Sequence, residues 1–199
     1  MLIWILFIYS KGMDAPLGFH PDVLYKEGKR RVNHSQRIPH ASETIRKDPT
    51  SYHALDTALT DICAYVHDLV ANYLPMEYQN IKVFVDVLPL NDNPTAYPFP
   101  GFVLNLQVST DGHLDSGDDT ICVVIPFGDW TGGAIVLYEA GLVLDLSAGD
   151  VLIFPSYKIT HFNLHFAGVR CSLVMHSDKH GSSWVEHRNG WQGHIVVKG

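Results

Sequence analysis

Residues 113–178 read HLDSGDDTICVVIPFGDWTGGAIVLYEAGLVLDLSAGDVLIFPSYKITHFNLHFAGVRCSLVMHSD. Short runs rich in Val, Ile, Leu and Phe recur along this stretch: Thr120 to Phe127, Ala134 to Tyr138, Leu142 to Leu146, Val151 to Phe154, Phe162 to Phe166 and Val169 to His176. Gly, Asp, Pro and Ser separate them, and apolar runs of this length bounded by turn residues are the sequence signature of strands. The Gly149-Asp150 pair fits a turn before the strand at Val151, because glycine reaches positive φ without a Cβ clash and Asp caps turns. So many short strands in succession predict a mainly β, barrel-like fold. Within the last run Arg170, Ser172, Val174 and His176 share one face, and Cys171, Leu173 and Met175 share the other. The polar face must look into a cavity or into water.

His113-Leu114-Asp115 opens the stretch, and His161 and Arg170 lie near its end. On a strand, residues two apart share a face, so His113 and Asp115 can address one ion together. Two imidazoles and one carboxylate that leave half the coordination sphere open are what a non-haem Fe(II) needs to take a co-substrate and O₂. A His-x-Asp triplet on its own equally fits a surface loop with a turn cap. Arg170 sits in mid-strand among apolar neighbours, where an unpaired charge is costly. Its partner is either a dicarboxylate co-substrate gripped through two parallel hydrogen bonds, with the Ser172 hydroxyl beside it, or a nearby Asp145 or Asp150.

From Gly101 to Asp178 the chain resembles the Fe(II)/2-oxoglutarate-dependent dioxygenases, and the quoted run is most similar to the TET/JBP-like oxygenase domains of fungi. The resemblance implies a double-stranded β-helix (jelly-roll) core, residues 100–178, buttressed by an N-terminal strand, loop and helix, residues 1–85. Residues 1–199 would then be one α+β dioxygenase domain. It also implies that His113, Asp115 and His161 hold Fe(II), that Arg170 and Ser172 hold the distal carboxylate of 2-oxoglutarate, and that oxidative decarboxylation to succinate drives oxidation of a substrate C–H bond. The substrate implied is the methyl of a methylated base, 5-methylcytosine or a relative, in DNA. The alternative is a small metabolite or a peptide side chain. In such domains groups near the His-x-Asp turn and on the last strand contact the target base, so Asp118 and His176 are substrate candidates. Asn163 and His165, expected on one interior-facing register, are further ones. Each fits a space-filling or supporting role as well.

Cupins are a competing family, since Gly149, Pro155 and His161 approximate their second motif. Asp115 in place of a second His, and Tyr157 where that motif has Gly, count against them. The short intervals between Asp115 and His161 leave no room for a large lid. Substrate recognition should therefore fall to the segment before the barrel, the Asn91-to-Gly101 loop, the Ser116-to-Asp119 turn and the tail after Asp178.

Upstream, Leu55, Ala58, Leu59, Ile62, Val66, Leu69, Val70 and Tyr73 recur at helical spacing, predicting an amphipathic helix from Thr50 to Leu74, capped by Thr50 or Ser51 and stopped by Pro75. Met1 to Tyr9 is nearly all apolar but too short to cross a bilayer, which takes roughly 20 helical residues. With no basic leader it is read as a strand or helix turn on the barrel; a misplaced start is the plainer alternative. Cys63, Cys122 and Cys171 show no metal-like spacing and read as buried residues of a reducing compartment, nuclear or cytoplasmic, in a monomer without a membrane partner.

The net charge of −7 argues against general attraction to nucleic acid. The basic residues are unevenly placed, however, and seven of the 14 are Lys26, Lys29, Arg30, Arg31, Arg37, Arg46 and Lys47. That segment is either a solvated loop or an arm that meets phosphate, depending on whether it flanks the iron cavity or lies behind it.

Overall fold

The computed structural model describes residues 2–5, 8–9, 39–40, 42–88 and 94–188 of the 199. Among the described residues ten strands run β1 (Leu2–Ile5), β2 (Ile8–Tyr9), β3 (Pro39–His40), β4 (Gly101–Leu106), β5 (Cys122–Gly132), β6 (Ile135–Leu137), β7 (Leu142–Leu144), β8 (Leu152–Phe154), β9 (His161–Asn163) and β10 (Phe166–His176). Helices α1 (Glu43–Lys47), α2 (Pro49–Tyr73) and α3 (Pro75–Val85) precede β4, and α4 (Gly181–His187) follows β10.

Two antiparallel sheets make the core. The larger is ordered β1-β4-β10-β5-β8 and the smaller β7-β6-β9, with a bridge between His113 and His161 extending the smaller one past β9. The chain alternates between the two sheets as it winds, which is the double-stranded β-helix of the sequence expectation. The apolar residues 2–5 do form a strand, β1, paired along β4 at the sheet edge.

Register explains why both faces of β10 are occupied. Leu173 stands between Leu104 and Ile125, and Met175 between Phe102 and Val123. These odd-numbered residues face outward and, with Cys63, Val66 and Val70 of α2 and Ile81 of α3, make the main hydrophobic cluster. The even-numbered residues face the interior between the sheets. There Val124 packs with Ile135, Leu137, Phe154, Leu144 and Leu152. Higher up the same face come Ser172, opposite Asn105 and Pro126, and Arg170, opposite Gly128.

The α2 helix differs from expectation at both ends. Asp48, not Thr50 or Ser51, is its N-cap, accepting from Ser51 N–H at 3.0 Å, and Pro49 occupies the first turn. A short carboxylate ahead of proline suits that position, because proline has no N–H to cap. Pro75 ends the helix as expected but also opens α3, for the same reason, and α3 buries Ile81, Phe84 and Val85. Among the described residues no helix is long and apolar enough to cross a membrane.

Candidate metal and co-substrate site

His113, Asp115 and His161 converge. One ligand atom from each lies within 4.8 Å of the other two. Nε2 of His113 is 3.7 Å from Asp115 Oδ1, and Nε2 of His161 is 3.6 Å from Asp115 Oδ2. The elements that place them are not those expected. His161 opens β9 as a paired strand residue, but of His113 and Asp115 only the bridge residue His113 is paired and Asp115 opens a turn, so loop geometry rather than strand alternation brings those two together. That turn is tied down: Asp115 N–H donates to Ser156 O (3.2 Å), Asp118 N–H donates to Asp115 O (2.9 Å), and His113 and His161 exchange both backbone hydrogen bonds.

The imidazoles are oriented for ligation. Nδ1 of His113 is 2.8 Å from Asp111 O, and Nδ1 of His161 is 3.0 Å from Ile159 O. A carbonyl only accepts, so each Nδ1 carries a proton and Nε2, the nitrogen that faces Asp115, is the one left to ligate. This is the arrangement of metal-bound histidine, with a backbone carbonyl fixing ring and tautomer. A facial site with bonds of about 2.1 Å sets its donors about 3 Å apart, so the triad needs only a small contraction to close on a cation. Asp115, Asp118 and Cys122 form a second close group. Burial first, then Asp118 and Asp115, push the Cys122 thiol well above its ordinary pKa, so it stays protonated and is the poorer donor.

Arg170 is 5% exposed and forms no ion pair with Asp145, Asp150 or any other described acid. Its Nε has no hydrogen-bond partner. Burial lowers its pKa from the usual value, yet a guanidinium keeps its charge at neutral pH. The backbone there is fixed by Gln107, whose Oε1 accepts from Arg170 N–H (2.6 Å) and whose N–H donates to Arg170 O (3.1 Å). A buried cation with a free donor needs an anion. Ser172 is buried beside it on the same face, 3.4 Å from the Asn105 amide.

The substrate candidates separate. Asp118 and His176 lie together, Nδ1 to Oδ1 at 3.5 Å, and Ser156 donates to Asp118 Oδ2 at 2.8 Å. Asn163 is drawn aside, its amide donating to Gly133 O at 3.1 Å. His165 is exposed, because β9 ends at Asn163 and the strand register does not carry on to it. The turn at 116–119 and the chain after β10 are stitched together, with Lys179 donating to Ser116 O and Gly117 O and Ser177 Oγ accepting from Asp119 and Thr120 N–H. Of the basic segment, residues 26–38 lie outside the described residues. Arg46 and Lys47 are on α1, which contacts β1 and α2 on the helical side, and Lys47 pairs with Glu43. Thr95 and Tyr97 are likewise bonded to Asp56 and Asp86 on the helical side, and residues 91–93 lie outside the described ones.

Sequence reasoning did not single out Gln107, Ser156 or Lys179, whose parts depend on long-range pairing that leaves no local signal. No protein-family model and no curated protein matches the sequence. Among solved structures, NgTET1 in complex with 5mC DNA is similar, with a TM-score of 0.59 and 20% identity over 81% of this chain and 67% of that one. At that identity the likeness establishes the fold alone, a β-helix of two antiparallel sheets preceded by helices.

Proposed function

We propose that the protein is an Fe(II)- and 2-oxoglutarate-dependent dioxygenase that oxidises the methyl group of a methylated, 5-methylcytosine-like base in DNA. The observation that carries the reaction class is the pairing of a convergent His113–Asp115–His161 triad with a buried, acid-free Arg170 on the interior of one β-helix. In this reading His113, Asp115 and His161 hold Fe(II), and Arg170 and Ser172 hold the far carboxylate of 2-oxoglutarate. Bound Fe(II), 2-oxoglutarate and O₂ together supply the oxidising power, and succinate and CO₂ are the co-products. The chain's own residues set positions. The carbonyls of Asp111 and Ile159 keep both imidazoles in the ligating tautomer, Ser156 holds the Asp115 turn, and the surrounding apolar side chains of both sheets limit water.

Asp118 and His176 provide a polar pair on the inner face, suited to the hydrogen-bonding edge of a base taken out of the stack. Asn163 is the weaker candidate because Gly133 already occupies its amide. The DNA assignment rests on this pair and on the likeness to a protein solved with 5mC DNA. A dioxygenase of a small metabolite or peptide is favoured by one observation, the net charge of −7.

Mass spectrometry of methylated and unmethylated oligonucleotides after incubation with Fe(II), 2-oxoglutarate and ascorbate separates the two. Oxygen gained only on methylated strands supports the DNA reading. Succinate formed without oligonucleotide oxidation assigns the site to a smaller substrate.

A further inference from the structure

The interior face of the β5–β10 pair carries a pattern that the co-substrate reading leaves unexplained. Across the ladder Phe166 stands opposite Gly132, Gly168 opposite Trp130, and Arg170 opposite Gly128. Each large side chain faces a glycine, so Arg170, Trp130 and Phe166 sit diagonally on one face of the pair. The Arg170 Cζ lies 5.5 Å from the Trp130 ring centroid and 5.9 Å from that of Phe166. Gly133 closes the remaining side: a Cβ there would meet Arg170 Cδ at 3.2 Å and Nε at 3.3 Å.

We infer that Trp130 and Phe166 are positioning residues that hold the Arg170 guanidinium in the orientation that receives the distal carboxylate of 2-oxoglutarate. The inference rests on the co-substrate reading of Arg170. Its physical basis is the choice of partner. An acidic neighbour would offset the buried charge but consume the guanidinium's N–H donors and compete with the incoming carboxylate. Aromatic faces attract the cation through their quadrupoles and leave those donors free. Among the described residues Arg170 has the aromatic partners and lacks an acidic one, and its Nε is unbonded. The glycines opposite let the two strands approach closely, since a Cβ at Gly128, Gly132 or Gly168 would strike the backbone carbonyl of Val169, His165 or Asp129.

The test is calorimetric titration of 2-oxoglutarate into Mn(II)-loaded protein. Trp130→Ala is expected to weaken binding about tenfold, Phe166→Leu by less, and Trp130→Phe to restore it to within about threefold, since a smaller ring still offers a face. Manganese binding should not change. In an Arg170→Lys background, Trp130→Ala should add little, because the group it positions is gone. A merely structural role would give the same loss in both backgrounds and no selective recovery by Phe. Wild-type binding that survives Trp130→Ala, or equal losses with and without Arg170, overturns the inference alone. Wild-type protein that binds no 2-oxoglutarate overturns the co-substrate reading together with it. If Trp130→Ala does not fold, the Phe166→Leu and Trp130→Phe pair decides by the same criteria.

Discussion

A buried arginine with no acidic partner makes opposing contributions to stability and to binding. Arg170→Ala is expected to weaken 2-oxoglutarate binding strongly, by about 2–5 kcal/mol for the loss of a desolvated charge pair, with metal binding intact, and Arg170→Lys to recover only part. Without co-substrate, Arg170→Met should melt at or above the wild-type temperature, since a buried cation offset only by aromatic faces gives way to an apolar side chain of similar length. Calorimetry of binding and of unfolding reads the two effects separately, and a large loss of stability in Arg170→Met would mean that the guanidinium has an anionic partner. His176 gives a pH dependence. Burial pushes its imidazole down, but the hydrogen bond and charge of Asp118 outweigh that and hold it above the ordinary 6.5. A folded pKa above the unfolded one contributes stability that is present below about 6.5 and is lost as pH rises through the folded value. Metal-free protein should therefore lose melting temperature above that pH, and Asp118→Asn should flatten the slope. A slope unchanged in Asp118→Asn would place the titrating group elsewhere.

Glycine is where the reading of single elements from sequence falls short. Phe127 and Val169 are natural strand limits on the sequence because Gly128 and Gly168 follow and precede them, yet β5 and β10 run through both glycines as an 11-residue antiparallel pair. These glycines have φ of 119° and 107°, and a Cβ on either would strike the backbone carbonyl of the facing strand, Val169 O or Asp129 O. They are interruptions of side chain, not of pairing. Gly168→Ala should thus destabilise the protein by more than about 1 kcal/mol and disturb Arg170 and its cage, whereas Gly117→Ala, in open space, should do neither. Comparable denaturation midpoints for the two variants would contradict this. The His113–Asp115–His161 triad and Arg170 are legible because their chemistry is written in residue type. The second helix after Pro75 is not, because proline ends one helix and begins another with the same residue. The loop that carries Asp115 is not legible either, since its shape is set by Ser156, 41 positions away on the chain (156 − 115).

On the scale of the whole molecule the helices and the β-helix interior occupy opposite faces of the large sheet. Leu173→Ala, on the helical face, should cost about 2–5 kcal/mol of stability by opening a cavity against Leu104, Ile125 and α2, while leaving the affinity of the remaining folded protein for 2-oxoglutarate unchanged. Parallel losses of affinity and stability would show that the two faces are coupled. Charge is also a property of the whole chain. If the arm from Lys26 to Lys47 meets DNA, reversing Lys29, Arg30 and Arg31 to Glu should weaken binding to every sequence and flatten its salt dependence by nearly one unit of slope for each phosphate no longer neutralised. An unaltered slope would assign phosphate binding to another part of the surface. The most direct test of the central claim is the Fe(II)-dependent conversion of 2-oxoglutarate to succinate in air, with a methylated oligonucleotide present, by wild-type protein and by Asp115→Ala. Succinate formed by the wild type and abolished in the variant is the expected result; 2-oxoglutarate left intact by both, or consumed equally by both, would contradict it.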